Sequence, residues 1–234
     1  MNSINAVSSA KLNAAKKAVE YITDAEIIGV GTGSTVEVFI NILGELKSEW
    51  RDRVFTASSI DTILKLGSLG FKVIHPASIE KINVYVDGAD EVDHNLNMIK
   101  GGGAALTLEK ILTYYSEKRV FIVDFTKLVD YLGEKHPVPV DVQPYALKFV
   151  CSYLTRRGYN PKIRYPVKGK YGPVVSDIGG VIVDVQPPKK FNPLELEREL
   201  SSLPGIIETG LFVGLADYVV VGYENKVEVF KRKT

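Results

Sequence analysis

The stretch Glu26-Ile27-Ile28-Gly29-Val30-Gly31-Thr32-Gly33-Ser34-Thr35-Val36 decides the fold. It begins as a short apolar strand, turns on glycine, and opens into a helix that continues to Lys47. A second strand, Val54 to Ala57, completes a β-α-β unit. An amphipathic helix, Lys11 to Ile22, precedes it. Downstream the alternation repeats as helix Ile60 to Leu69, strand Lys72 to Ile74, strand Ile82 to Val86, helix Ala104 to Ser116 and strand Arg119 to Val123. Near-continuous apolar strands between helices predict an α/β protein with a Rossmann-like, doubly wound, mostly parallel sheet covered on both faces.

The texture changes near Leu132-Gly133. Pro76 is the sole proline before that point, and prolines crowd the chain from Pro137 onward. A domain boundary is expected there, with a large α/β domain from residues 1–132 and 213–234 and a small domain from residues 133–212. The small domain reads as a strand from Val138, helix Tyr145 to Arg157, strands Lys162 to Tyr165 and Val181 to Gln186, helix Pro193 to Leu203, and strand Ile206 to Phe212. That βαββαβ order suits a ferredoxin-like α+β domain. The tail, Asp217 to Gly222 and Lys226 to Phe230, predicts a hairpin that returns to the first sheet.

Across 234 residues, 29 basic and 28 acidic side chains give a net charge of +1. That balance supplies no basic excess to drive counterion release from nucleic acid. No apolar run reaches the roughly 18 to 20 residues that span a bilayer, and Met1-Asn2-Ser3-Ile4-Asn5 carries no basic leader. A cytoplasmic protein with no nucleic-acid or membrane partner is expected. The lone Cys151 excludes an intrachain disulfide and reads as a small core residue on the inner face of its helix. His75, His94 and His136 show no metal-ligand spacing, so no metal is expected.

Four segments carry candidate chemistry. In the opening stretch, Val36 stands where a dinucleotide fingerprint needs its third glycine. No Gly-Lys-Ser/Thr ending follows, and no acidic residue closes the second strand at Ala57-Ser58. What remains is a glycine turn, Thr32 and Gly33, with Ser34 and Thr35 at a helix N-terminus. Free N–H groups, hydroxyls and the helix dipole there suit a phosphate, with plain helix capping by Ser34 as the alternative. Asp87-Gly88-Ala89-Asp90 follows the strand Ile82 to Val86, where open α/β sheets place ligands. Its two carboxylates suit proton passing between sugar oxygens, or else tie the loop through Asx turns.

The third segment, Lys100-Gly101-Gly102-Gly103, runs into the helix that carries Glu109. Glycines let backbone amides close on a ligand, Lys100 adds a cation and Glu109 a base, so a small anion is the expected ligand. Lys127, after the strand Arg119 to Val123, reaches the same sheet edge if the sheet is parallel, and is otherwise an ordinary surface lysine.

Taken in order, these segments resemble type A ribose-5-phosphate isomerase. The resemblance continues through Pro137-Val138-Pro139-Val140, Pro204-Gly205-Ile206-Ile207-Glu208-Thr209-Gly210-Leu211-Phe212 and Ala216-Asp217. It implies interconversion of D-ribose 5-phosphate and D-ribulose 5-phosphate through an enediolate, in the non-oxidative pentose phosphate pathway, without metal or organic cofactor. By the same resemblance Glu109 is the base, and Lys100 with the amides of Gly101, Gly102 and Gly103 stabilises the oxyanion. Asp87 and Asp90, with Gly88 and Ala89 between them, bind the sugar and assist ring opening. Thr32, Gly33, Ser34, Thr35 and Lys127 anchor the phosphorylated substrate. Exposed apolar edges of the small domain favour a homodimer or homotetramer.

Two segments depart from the family pattern. In Ser58-Ser59-Ile60-Asp61-Thr62, Ile60 and Asp61 replace smaller polar residues, and Ser176-Asp177-Ile178-Gly179-Gly180 alters a turn of the small domain. Other readings of such a sheet are a sugar-phosphate sensor, an amino-sugar-phosphate deaminase or an acyl-CoA transferase. A sensor needs an output domain and gives Glu109 no task. Neither enzyme accounts for two aspartates together with Lys-Gly-Gly-Gly.

Overall fold

In a computed structural model, residues 3–169, 171–187 and 190–232 are described. The chain divides into two compact units, a larger one up to Ala89 with Leu108–Lys127 and the segment from Leu215 onward, and a smaller one from Asp90–Thr107 and Leu128–Gly214. The chain runs α1 (Ser3–Val19), β1 (Ile27–Val30), α2 (Ser34–Glu45), α3 (Lys47–Trp50), β2 (Val54–Ala57), α4 (Ile60–Ser68), β3 (Lys72–Val73) and β4 (Ile82–Asp87). It passes through β5 (Glu91–Val92) and β6 (Met98–Ile99) in the smaller unit, then along α5 (Leu106–Tyr114) to β7 (Ser116–Asp124). Next come β8 (Val138–Val142), α6 (Leu147–Arg156), β9 (Asn160–Ile163), β10 (Val181–Gln186), α7 (Pro193–Ser201), β11 (Ile206–Thr209) and β12 (Leu211–Phe212). The tail forms β13 (Tyr218–Gly222) and β14 (Val227–Lys231).

The larger unit is built on a seven-stranded sheet in the order β3-β2-β1-β4-β7-β13-β14. Every neighbouring pair is parallel except β13 with β14, the returning hairpin. Strand order reverses between β1 and β4, which opens a crevice at their carboxyl ends. Alternation along the strands sorts the two faces. Ile28, Val30, Val84 and Val86 pack with Ala14 and Ala18 of α1 and Phe39 and Leu43 of α2, whereas Tyr85 packs with Leu112 of α5. Each fully buried large side chain contributes about 1.5–3 kcal/mol, so Phe39 and Leu43 largely decide where α2 lies.

The smaller unit holds a four-stranded antiparallel sheet in the order β11-β8-β10-β9, with α6 and α7 in its connections, the ferredoxin-like arrangement. Val140, Val142, Val183 and Val185 form its core with Val150 and Leu154 of α6 and Leu196 and Leu200 of α7. A second sheet of this unit, β12-β6-β5, is made of two-residue strands. It draws residues 90–107 into the smaller unit, whereas the expected boundary left them in the larger domain.

The helix expected over Lys11 to Ile22 runs instead over Ser3–Val19, and two of the other elements that differ from their expected form lie beside the candidate site. The strand expected over Ile206 to Phe212 breaks at Gly210, and its halves pair with β8 and β6 in different sheets. A Cβ on Gly210 would come within 2.3 Å of the Lys100 carbonyl oxygen, so this crossing admits only glycine. The helix expected from Ala104 starts at Leu106, because Ala104 takes φ 65°, which no α-helix accommodates.

Candidate active site

In the larger unit, the expected residues lie at the carboxyl ends of β1, β4 and β7 and on α5. After β1, the Gly31 N–H donates to the Val86 carbonyl at 2.9 Å, and the chain turns at Gly33, φ 136°, into α2. Among the described residues no side chain caps α2. The Ser34 hydroxyl instead accepts from Lys11 Nζ of α1 at 2.8 Å, so the capping alternative is not the one adopted. The first amides of a helix have no intrahelical acceptor, and Lys11 adds a cation beside them.

Thr32 stitches this turn to its neighbours. Its N–H donates to Asp87 Oδ1 at 3.1 Å, and its hydroxyl donates to Ser59 Oγ at 2.7 Å and lies 3.1 Å from Ser58 Oγ. Ser59 caps α4 by accepting the Thr62 N–H, and the Thr62 hydroxyl donates to the Gly31 carbonyl at 2.8 Å. The serine-rich segment therefore supports the glycine turn through buried hydroxyls. The two departing residues stand outside this network: Ile60 is 59% exposed and Asp61 pairs with Lys65 at 3.0 Å.

Asp87 ends β4 with no exposed surface. Its Oδ1 accepts the N–H groups of Thr32 and Gly88, the latter at 2.7 Å, and its Oδ2 accepts the Tyr85 hydroxyl at 2.7 Å. Glu109 is buried on α5, and its carbonyl accepts the Thr113 hydroxyl at 2.6 Å. Burial, then the charges of Asp87 and Glu109, push the Tyr85 phenol well above its ordinary range, so both acids lie within electrostatic reach of one buried ring. Lys127 is half-buried at the end of the single turn Phe125–Lys127 after β7. Asp124 secures that turn by accepting both the N–H and the hydroxyl of Thr126.

In the smaller unit, Asp90 and the glycine turn hold each other. The Asp90 N–H donates to the Ile99 carbonyl, and its Oδ2 accepts the Gly102 N–H at 2.8 Å. One amide of the triple glycine thus serves Asp90 in place of a ligand. Lys100 is 2% exposed; its N–H donates to the Gly210 carbonyl at 2.9 Å and its Nζ lies 5.5 Å from the centre of the Phe212 ring. Arg164 Nη1 donates to the carbonyls of Gly101 and Gly102 at 2.7 and 3.1 Å, while its other nitrogens pair with Asp184. The turn is therefore held from both its amide and its carbonyl side.

A sequence profile of the family described as Ribose 5-phosphate isomerase A (phosphoriboisomerase A) matches residues 54–226. The chain belongs to the ribose 5-phosphate isomerase A family. A ribose-5-phosphate isomerase A from Pyrococcus abyssi is 42% identical over 228 residues, covering 97% of this chain and 99% of its own. Among solved structures, a D-ribose-5-phosphate isomerase in complex with phospho-erythronic acid superposes with a TM-score of 0.92 at 41% identity, covering 99% of this chain and 100% of the other. The ribose 5-phosphate isomerase A of Methanocaldococcus jannaschii superposes with a TM-score of 0.89 at 37% identity, over 94% of this chain and 97% of its own.

Within this isomerase A fold, the larger unit groups Thr32, Gly33, Ser34, Thr35, Asp87, Gly88, Ala89, Glu109 and Lys127, and the smaller unit groups Asp90, Lys100, Gly101, Gly102 and Gly103. Lys11, Tyr85 and Arg164 escaped the sequence reading. Lys11 looks like any lysine on an amphipathic helix, and Arg164 reads only as part of the strand Lys162 to Tyr165, with no role of its own. Tyr85 did carry a signal, its i, i+2 spacing from Asp87 on one strand face.

Proposed function

We propose that this chain interconverts D-ribose 5-phosphate and D-ribulose 5-phosphate by proton transfer between C2 and C1. The family match carries the reading, since residues 54–226 include every catalytic candidate from Asp87 to Glu109. Glu109 removes the C2 proton of the open-chain aldose and returns it to C1. The C1 carbonyl oxygen takes up the enediolate charge, and the C2 oxygen becomes the new carbonyl. Lys100 and the glycine-turn amides stabilise that charge, usually the largest single catalytic contribution. The Gly102 amide contributes indirectly, by orienting Asp90. Asp87 and Asp90 bind sugar hydroxyls, assist ring opening and carry the C2 hydroxyl proton to the C1 oxygen, so that C1 ends as an alcohol and C2 as the carbonyl.

The phosphate belongs at the α2 N-terminus, with the Gly33, Ser34 and Thr35 amides, the neighbouring Thr32, and Lys11 and Lys127 as cations. Its binding energy holds the reacting carbons in register. The scheme uses no metal or organic cofactor. We further propose that the chain works in the non-oxidative pentose phosphate pathway, in the cytoplasm, as a homodimer or homotetramer. Among the described residues no helix is long and apolar enough to cross a membrane.

The test is solvent exchange. Purified protein with ribose 5-phosphate in deuterated water and EDTA is expected to form ribulose 5-phosphate and to return ribose 5-phosphate carrying deuterium at C2. Absence of isomerisation overturns the reading. Glu109→Gln is expected to bind substrate while losing at least about 100-fold in kcat, the lower end for a lost acid–base group. Retention of more than about a tenth of kcat would remove Glu109 from the role of base.

A further inference from the structure

Tyr85 stands two residues before Asp87 on β4, so the two side chains leave the same face of the sheet. On the neighbouring strand Gly29 lies in register with Tyr85, and Gly31 follows at the same two-residue spacing. A Cβ on Gly29 would come within 2.7 Å of Tyr85 Cδ2, and one on Gly31 within 1.9 Å of Asp87 Cγ and Oδ1. The glycines that look like a broken nucleotide fingerprint are therefore two clearances, one for a phenol and one for a carboxylate.

A tyrosine with no exposed surface has to satisfy its hydroxyl, because burying that group unpaired costs several kcal/mol in an apolar medium. Here the hydroxyl donates to Asp87 Oδ2 at 2.7 Å, on the side of the carboxylate opposite the two amides that hold Oδ1. The ring itself fills space against Ile82 and Leu112, a task phenylalanine would do equally well. The hydroxyl is thus the part of the residue that packing does not explain. Burial and two neighbouring carboxylates keep the phenol protonated, and hence a donor, throughout the neutral range.

We infer that Tyr85 is a positioning residue of the isomerisation: lodged in the clearance at Gly29, its hydroxyl fixes the orientation in which the Asp87 carboxylate meets the sugar. The inference rests on the isomerase reading above and on Asp87 acting within it. Ser59, Thr62 and Thr32 then form the other wall of the same arrangement, since Thr32 supplies one of the amides on Oδ1 and is itself held by their hydroxyls.

The experiment is a double-mutant cycle with the isomerase assay as readout. Tyr85→Phe keeps the ring and removes the anchor, and is expected to lower kcat about 10- to 100-fold, as small misplacements of a reacting group do. KM should rise less than kcat falls. In the Asp87→Asn background the same change should have little further effect on kcat, because a residue acting through Asp87 has nothing left to orient. Full kcat in Tyr85→Phe, or an equal loss in both backgrounds, overturns the inference. Failure of the unsubstituted chain to isomerise would instead overturn the isomerase reading. If Tyr85→Phe does not fold, Gly29→Ala carries the test by pushing the ring from its clearance, with a kcat loss of at least about fivefold expected and unchanged kcat as the overturning result.

Discussion

Asp87 and Asp90 are three residues apart and are held by opposite means. Asp87 lies at the end of a strand inside a parallel sheet, gripped by a phenol and two amides in space cleared by a glycine just beyond the neighbouring strand. Asp90 is half-buried on a turn, bound to the Gly102 amide and stitched to a sheet of two-residue strands. The strand-end acid is part of a core, so disturbing it should cost stability first. The turn-held acid and its glycines can be disturbed with the core intact, so turnover should suffer before stability does.

The sharpest way to break this contrast is a pair of matched substitutions. Gly31→Ala is expected to destabilise the fold by about 3 kcal/mol or more, since its methyl group would overlap a buried carboxylate. Gly102→Ala meets only the end of the Asp90 side chain at 2.8 Å and should cost less than about 1 kcal/mol while lowering kcat. Denaturant unfolding of both variants measures the difference, and equal losses would erase it.

Lys100→Ala sharpens the same point on the turn side. A fall in kcat of about 10²- to 10³-fold is expected, with a smaller change in KM, as for loss of an oxyanion-stabilising group. A pure KM effect would make Lys100 a binding residue only. The smallest effect is expected at Lys11, which touches the exposed edge of the α2 N-terminus. Lys11→Ala should raise KM by about two- to fivefold at low salt, with kcat unchanged, and the difference should shrink as ionic strength rises.

The alternation of strands and helices was legible because near-continuous apolar strands and 3.6-residue periodicity are written locally. So was the ferredoxin-like order, βαββαβ, since its apolar strands and amphipathic helices alternate within the segment itself. The sheet β12-β6-β5 was not, because a two-residue strand has no period to detect and is defined by partners far along the chain. The start of α5 was missed for a related reason: Ala104 favours helix intrinsically, and only its place after the glycine turn forces φ to 65°. Of the candidate site, Asp87, Asp90, Lys100 and the glycine turns stood out by residue type after strands, and Glu109 by its place on the helix that follows a glycine turn. Lys11 and Arg164 were not, because a long cationic side chain states its charge in the sequence and its reach only in three dimensions.

The break at Gly210 has a further consequence. Its N–H donates to the Pro139 carbonyl at 2.7 Å and its own carbonyl accepts the Lys100 N–H, so one residue rivets the lysine's main chain to the first strand of the four-stranded sheet. The lysine's backbone amide can then release its hydrogen to solvent only when that joint opens. A residue that sequence alone would assign to a pliant glycine loop thereby shares the lifetime of a folded sheet.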